Sequence, residues 1–219
     1  MNNYKIEWGF LCDTNSNIDR KNKKRKFNDS NEEYHIDNKM IYVIGNELHF
    51  TAPINEKTIE DAIKYINEIV QNNKDNYSGD DEKLIIKYIV DSPGGCVKSI
   101  LKFVDHVGLI KEAYPFVQFV SIISGQVASA GTTMCIIADK RRITKNASAM
   151  IHELSSGMRG TYTHMTEYAK HLSSVHDRLT NIYINGTSKT KEEIEELLRR
   201  ETWFDANSYL EYGFVDEIC

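Results

Sequence analysis

Apolar residues follow two patterns along most of the chain. One pattern is a short, dense apolar run, which is typical of a buried strand. Such runs occupy residues 40–45, 83–90, 116–124 and 149–151. The other pattern is a recurrence at three- and four-residue spacing over 54–70 and 96–113, which predicts helices that bury one face. Because strands and helices alternate, the chain is predicted to form right-handed βαβ units with parallel strands, an α/β fold.

The helix at 54–70 has the clearest signal. Ile59, Ile66 and Val70 fall on one face, and Asn55 is a suitable N-cap. Two further helices are predicted, a short apolar one at 132–138 and a long polar one at 161–183.

The first 38 residues differ in composition from the rest. Residues 20–26 hold six basic side chains in seven, surrounded by Asn, Asp and Ser. Low apolar content with dense charge predicts a mobile arm over 1–38, ahead of a domain at 39–219. Its role stays open between a solvated loop, a docking tail and a nucleic-acid contact.

Composition narrows the class of protein. A net charge of −5 disfavours a broad nucleic-acid surface. No run approaches the roughly 20 apolar residues of a membrane span, and the N-terminus does not resemble a signal peptide. The cysteines are scattered and form no C-x-x-C pair, which favours reduced thiols in a cytoplasmic protein.

The histidine pattern predicts no metal and no other cofactor. His164, His171 and His176 are seven and five residues apart, which does not match a helical metal pair, and H-E-x-x-H does not occur.

The stretch G-Q-V-A-S-A-G at 125–131 joins a predicted strand to a predicted helix. It places Ser129 at the turn, between residues too small to cover its hydroxyl. The following N–H groups, at a helix N-terminus, would point toward whatever the hydroxyl attacks. A tight packing turn without chemistry is an equally open interpretation.

A second turn, S-P-G-G at 92–95, ends another strand. Parallel strands place both turns at the carboxyl edge of the sheet, where ligands bind. Two turns with free N–H groups are what the oxyanion of acyl transfer requires. As a phosphate loop the stretch is weak, because it lacks the P-loop lysine.

A serine needs a base, and His152 is the best placed of the seven histidines. It ends the apolar run 149–151 and precedes a flexible stretch, so it can face a cleft at the sheet edge. A purely structural histidine is the competing interpretation.

Four motifs in one order carry a family resemblance. They are S-P-G-G at 92–95, G-Q-V-A-S-A-G at 125–131, M-I-H at 150–152 and E-Y-G-F-V-D at 211–216. Together they resemble the Clp protease proteolytic subunit (ClpP) family, from about Met40 to the C-terminus. The resemblance implies the ClpP/crotonase superfold, stacked βαβ units with a protruding handle helix, here 161–183.

The resemblance also implies a serine endopeptidase acting on peptides or unfolded proteins. Ser129 would be the nucleophile, His152 the base, and the Gly95 and Ala130 N–H groups the oxyanion hole. Gly94, Gly95, Cys96 and Val97 would bind extended peptide by strand addition. Family members assemble as stacked heptameric rings, so a homo-oligomer is implied, with an AAA+ unfoldase as a possible partner.

The third triad member departs from the family pattern. An ungapped alignment of 211–216 puts Glu201 where the family has aspartate. Glutamate can orient an imidazole. Three alternatives stay open. Asp205 could be the third member, or a Ser-His dyad could act without an acid. Glu201 could also simply form an ion pair with Arg199 or Arg200.

Two other functions stay open. One is a catalytically impaired ring subunit or scaffold, and the other is an acyl-CoA enzyme of the crotonase type. The pairing of Ser129 with His152 disfavours the acyl-CoA enzyme. An α/β-hydrolase is disfavoured because Val127 stands where G-x-S-x-G needs glycine.

Overall fold

The computed structural model describes residues 40–77 and 82–219. The arm predicted over 1–38 lies outside these residues. The strands are β1 (Ile41–Ile44), β2 (Glu47–Phe50), β3 (Leu84–Ser92), β4 (Val117–Ala128), β5 (Lys140–Ile143), β6 (Ser148–Ile151), β7 (Thr202–Asp205) and β8 (Glu217–Ile218). The α-helices are α1 (Glu56–Asn73), α2 (Val97–Ala113), α3 (Ala130–Ile136), α4 (Tyr162–Gly186), α5 (Lys191–Arg199) and α6 (Ala206–Glu211).

The strands form one mixed sheet in the order β1-β2-β3-β4-β5-β8, with β6 joined to β4 and β7 joined to β6. The pairs from β2 through β8 along this path are parallel. Helices lie between the parallel strands along the chain, which confirms the predicted α/β class of ClpP-like architecture.

One part of the predicted topology is wrong. The strand expected at 40–45 does not pair with β3, because β1 folds back on β2 in an antiparallel hairpin. The parallel partner of β3 is β2, which the sequence analysis missed. This strand has only four residues, and only Leu48 and Phe50 are buried. Gly45 makes the tight turn at φ 59°.

The predicted helix at 54–70 is confirmed as α1. Asn55 accepts a hydrogen bond from the Thr58 amide at 3.0 Å and caps the helix. Ile59 and Ile66 are fully buried, and burial of each such side chain contributes about 1.5–3 kcal/mol. On the adjoining strand, Tyr88 packs edge-on against Phe103 of α2, with 5.7 Å between ring centroids.

The strand β4 continues past its predicted end at 124 and has two partners. Its residues 120–123 pair with β5, and residues 126–128 pair with β6. Gly125 divides the two parts at φ 100°. This φ favours glycine, and an added Cβ would lie 2.9 Å from the Asp91 carboxylate, which would have to shift. The second part of β4 leads directly into Ser129.

The long helix α4 protrudes at its N-terminal half. Tyr162 and Met165 are 85% and 50% exposed. The C-terminal half packs on the domain through Val175, Thr180 and Tyr183, which are buried. The handle helix predicted at 161–183 is therefore present and extends to Gly186.

Arg141 ties three distant segments together. Its backbone N–H and its guanidinium both donate to the Asp216 carboxylate, at 2.7 and 2.5 Å. The guanidinium also donates to the Gly186 carbonyl at the end of α4. Partial burial of Asp216 opposes its ionisation, but the hydrogen bonds and charge of Arg141 outweigh this effect and lower the pKa of Asp216.

We expect Asp216→Asn to lower the free energy of unfolding by about 1–3 kcal/mol at pH 7, because it removes a charge-assisted hydrogen-bond acceptor. A carboxylate with a lowered folded-state pKa stabilises above its unfolded pKa of about 3.9 and loses that contribution as pH falls through its folded-state pKa. Urea unfolding at fixed protein concentration should therefore show the gap to wild type narrowing below about pH 4.

The matched control is Glu211→Gln, a change at an exposed carboxylate of α6. This variant should stay within about 0.5 kcal/mol of wild type. A gap for Asp216→Asn that is as small as for Glu211→Gln would contradict the assigned role of the Arg141 contacts.

Candidate active site

Ser129 lies at the junction of β4 and α3 in a strained conformation. Its φ and ψ are 55° and −127°, a combination that costs a non-glycine residue about 1–3 kcal/mol. The Ser129 amide donates to the Met150 carbonyl at 2.8 Å, which fixes the turn to β6. The carbonyl of Ser129 accepts from Thr132 Oγ1 at 2.6 Å. The turn is therefore held from both sides.

Close packing explains the small residues around Ser129. A Cβ on Gly131 would lie 2.9 Å from Val127 Cγ1 and 3.2 Å from the Ser92 carbonyl oxygen. Ala128 and Ala130 are buried, whereas Ser129 is partly exposed. The stretch is thus a tight packing turn that also leaves its serine accessible, so the two interpretations of the sequence are compatible.

Gly94 lies directly against this turn. A Cβ on Gly94 would come within 2.5 Å of the Ala128 carbonyl oxygen and 2.7 Å of Ser129 Cβ. A Cβ on Gly95 would collide with the Ile54 carbonyl. The φ angles of Gly94 and Gly95 are 84° and 147°, in the region that favours glycine. The S-P-G-G turn therefore brings backbone beside the serine.

Hydrogen bonds with Ile54 set the direction of the Gly95 peptide groups. The Ile54 amide donates to the Gly94 carbonyl, and the Cys96 amide donates to the Ile54 carbonyl, both at 2.8 Å. In extended backbone the groups of the intervening residue face the opposite way. The N–H and C=O of Gly95 therefore point away from Ile54 and leave one edge open, whereas the Cys96 amide is already engaged.

Two amides near Ser129 are available as donors. Within the described parts of the chain, the N–H groups of Gly95 and Ala130 have no acceptor. Ala130 is the first residue of α3, where helix geometry leaves the N–H without an internal partner. These are the two residues predicted to form an oxyanion hole.

Ser92 supports this arrangement, although its role was not predicted from the sequence. Its hydroxyl donates to the Ala52 carbonyl at 2.7 Å and accepts from the Gly94 amide at 3.2 Å. Ser92 is fully buried. A hydroxyl residue just before Pro-Gly-Gly was the only available signal.

His152 directly follows β6 and lines the same cavity as Ser129 and Ala130. Burial lowers the pKa of His152; the Glu201 charge, a hydrogen bond with the Glu153 backbone and the Glu153 charge partly offset this. Its Nε2 is buried without a hydrogen-bond partner among the described residues. Ser129 and His152 thus share the cavity without a hydrogen bond between them.

The pairing of β6 with β7 places Glu201 beside His152. These strands are antiparallel, and Ile151 is opposite Thr202. One step further along the same register, His152 is opposite Glu201. Glu201 is exposed, with φ 51°, and makes no hydrogen bond to His152, although its charge acts on the imidazole.

Asp205 is remote from His152 in the same register. It is opposite Ser148, four residues from His152, or roughly 13 Å along an extended strand. Its carboxylate accepts from the Ser208 amide and hydroxyl at 2.8 and 2.6 Å and caps α6.

The predicted alternative of an arginine-paired Glu201 is wrong. Both Arg199 and Arg200 form ion pairs with Glu196 instead. These arginines lie at the end of α5, so Glu196 is within reach one helical turn away.

Cys135 and Cys219 have free thiols, the state that the sequence predicts for reduced cysteines.

Residues 40–77 and 82–219 contain neither a metal-type cluster of side chains nor a membrane-type helix. No three His, Cys, Asp or Glu side chains lie close enough together to share a metal ion. No helix combines the length and apolar character needed to cross a bilayer.

The site therefore combines an accessible serine, two free N–H donors, a histidine and a carboxylate beyond it, the groups that serine acyl transfer uses. Fold and site together define a ClpP-like α/β protein. The family model for Clp protease matches residues 47–219, and the chain belongs to this family.

Named relatives are similar at low identity. The ATP-dependent Clp protease proteolytic subunit 1 of Chlamydia trachomatis serovar D is 26% identical over 187 residues, 84% of this chain and 90% of the relative. The protein of the same name from Chlamydia abortus is 24% identical over 193 residues, 84% of this chain and 94% of the relative.

The register predicts which carboxylate acts on His152. We expect NMR titration of labelled histidine to give a His152 pKa below the ordinary 6.5, so the ring is neutral at pH 7. Glu201→Gln should lower this pKa further, because the carboxylate charge favours the imidazolium. Asp205→Asn should leave it unchanged.

The His152 resonance would be assigned by its loss in His152→Asn. A His152 pKa that falls in Asp205→Asn but not in Glu201→Gln would contradict the pairing deduced from β6 and β7.

Proposed function

We propose that the chain is a serine endopeptidase that cleaves peptides or unfolded proteins. The observation that carries this proposal is the cavity shared by Ser129, Ala130 and His152. Close to this serine lies Gly94, which directly precedes the free N–H of Gly95. Membership of the Clp protease family supports it.

In the proposed reaction, Ser129 Oγ attacks the peptide carbonyl while its proton passes to His152 Nε2. The N–H groups of Gly95 and Ala130 donate to the oxyanion that forms. The imidazolium then protonates the leaving amine, and water repeats the sequence to release the acyl group. Ser129 and His152 must approach to hydrogen-bonding distance, a contact that often tightens only in the substrate complex.

Glu201 is proposed as the acid that orients His152. Its place opposite His152 in the β6–β7 register supports this role. Its charge also stabilises the imidazolium that forms during attack. Because Asp205 is engaged in capping α6, it is the weaker candidate.

The open edge of Gly95 is proposed to bind the substrate backbone. An extended peptide could donate to and accept from Gly95 by strand addition, with Val97 contacting a side chain in the cavity. Gly94 and Cys96 shape this edge through their hydrogen bonds with Ile54. Such binding supplies affinity with little side-chain selection.

Assembly and location are further parts of the proposal. Clp protease family members form oligomeric rings and work with Clp ATPases. We propose a homo-oligomer of stacked, heptameric rings in the cytoplasm, fed by an AAA+ unfoldase. The protruding apolar side chains of Tyr162 and Met165 on α4 support an assembly contact.

A catalytically impaired ring subunit is the second candidate. The observation in its favour is that no hydrogen bond links Ser129, His152 and Glu201 among the described residues. An experiment on serine reactivity separates it from the peptidase.

We expect a fluorophosphonate to add once to the wild-type chain, at Ser129, because an activated serine beside an oxyanion hole attacks phosphorus as it attacks a carbonyl. Intact mass measurement should show the adduct on wild type and its loss in Ser129→Ala. The control is Ser155→Ala, which removes another hydroxyl from the lining of the cavity and should still label.

No adduct on a folded, assembled wild-type chain would contradict the peptidase and favour the impaired subunit. Labelling of Ser129→Ala at the wild-type level would assign the reactive group elsewhere.

Glu201→Gln should lower kcat for peptide cleavage by about 10²–10⁴-fold, since loss of the orienting carboxylate in a serine triad costs up to about 10⁴. Asp205→Asn, checked for folding by circular dichroism, should stay within about twofold of wild type. A Glu201→Gln enzyme that keeps the wild-type kcat would contradict the orienting role of Glu201. The remaining explanations would then be Asp205 as the acid or a Ser-His dyad.

A further inference from the structure

The cavity beside Ser129 continues to the inner side of α4. Its walls include apolar side chains of Val97, Ile100, Leu179 and Leu198. Thr133 and Thr180 also line it, and both are about 1% exposed. A cavity that opens beside the nucleophile takes the side chain of the residue whose carbonyl is attacked, the P1 residue.

Most hydroxyl groups at the inner end of this cavity satisfy one another. The Tyr183 hydroxyl is 2.6 Å from Thr132 Oγ1 and 3.2 Å from Thr133 Oγ1. Thr132 Oγ1 also donates to the Ser129 carbonyl. These groups form a closed network that needs no ligand.

Thr180 does not belong to that network. Its Oγ1 is buried and has no hydrogen-bond partner among the residues that the structure describes. A threonine inside a helix usually satisfies its hydroxyl at the carbonyl one turn earlier, but Thr180 does not. A buried hydroxyl without a partner is costly, so a group that enters the cavity is its natural partner.

The free space in the cavity is small. Its volume is about 30 Å³, room for roughly two water molecules. A side chain with two or three non-hydrogen atoms would fill this space. Large aromatic or long aliphatic P1 side chains would require the walls to move.

We propose that Thr180 makes this cavity selective for a small hydroxyl-bearing P1 residue, threonine or serine. This inference rests on the proposed peptidase function and names its substrate class. The apolar walls contact the methyl or methylene group of the P1 side chain. The P1 hydroxyl and Thr180 Oγ1 exchange a hydrogen bond, since each can donate and accept.

The cavity disfavours an apolar P1 residue because such a residue leaves the Thr180 hydroxyl without a hydrogen-bond partner. Water can satisfy the hydroxyl while the cavity is empty. A valine side chain displaces that water and leaves Thr180 unpaired, whereas the similarly shaped threonine replaces it. Sites that hydrogen-bond a substrate group discriminate against the analogue that lacks it. One neutral hydrogen bond corresponds to about tenfold in kcat/KM.

The test uses four fluorogenic peptides that differ only at P1, with threonine, valine, serine or alanine. Enzyme concentration is set by fluorophosphonate titration of Ser129. The wild-type chain should favour threonine over valine by about tenfold, and serine over alanine by a smaller factor, because an alanine side chain leaves room for the water that satisfies Thr180. Thr180→Val should bring both ratios to one or below, because the P1 hydroxyl then has no partner in the cavity, and Thr180→Ser should keep them.

Thr133→Val is the matched control. It removes a hydroxyl from the same cavity that is already paired with Tyr183, so the threonine-to-valine ratio should stay near that of wild type. Thr180→Val should fold normally, because it replaces an unpaired buried hydroxyl by a methyl group.

A wild-type threonine-to-valine ratio of one or less would overturn the assignment to Thr180. The same holds if Thr180→Val keeps the wild-type ratio, if Thr180→Ser loses it, or if Ser129 labels while none of the four peptides is cleaved. Each of these leaves the proposed peptidase intact. A chain that neither labels nor cleaves would overturn the peptidase, and the P1 selectivity with it.

Discussion

The site depends on a close approach of backbone to backbone. Gly94 lies so near the Ser129 turn that a single added carbon would overlap the Ala128 carbonyl and Ser129 itself. The two residues with a free amide adjoin this contact, since Gly95 follows Gly94 and Ala130 follows Ser129 in the chain. The contact needs glycine at 94 and 95, small residues at 128–131, and a strained φ at Ser129. The Ser129 amide donates to Met150 and the Ser129 carbonyl accepts from Thr132, and these bonds hold the strained turn. Ser92 accepts from the Gly94 amide and holds the facing turn.

Much of this could be predicted from the sequence, because its chemistry is local. Glycines at 94–95 indicate backbone that other residues rarely adopt, and a serine among small residues after an apolar run indicates an accessible turn. The confirmed helix α1 follows from its apolar spacing, and α4 was predicted as a long polar helix. The short strand β2 was missed because Glu47 and His49 interrupt its two buried residues, so it has too little apolar pattern to read as a strand.

Contacts between segments far apart in the chain could not be predicted from the residue pattern. The stretches that form β6 and β7 have four residues each and lie about fifty apart in the chain. Nothing in their composition fixes which residue of one faces which residue of the other. Only the family resemblance put Glu201 ahead of Asp205, and the register is the structural reason why Glu201 is the neighbour of His152. The missing partner of Thr180 is hidden for the same reason, since α4 reads simply as a polar helix.

The handle helix and the nucleophile turn are parts of one supporting structure. Tyr183 on α4 shares its hydroxyl with Thr132, and Thr132 donates to the carbonyl of Ser129. On the other side of the cavity, the Glu153 amide donates to the Leu198 carbonyl of α5 at 2.8 Å, which anchors the segment after His152. Because α4 packs on α3 and α5, a shift of its buried half would move both walls of the cavity. The geometry of Ser129 and His152 therefore depends on how α4 is seated as well as on the sheet.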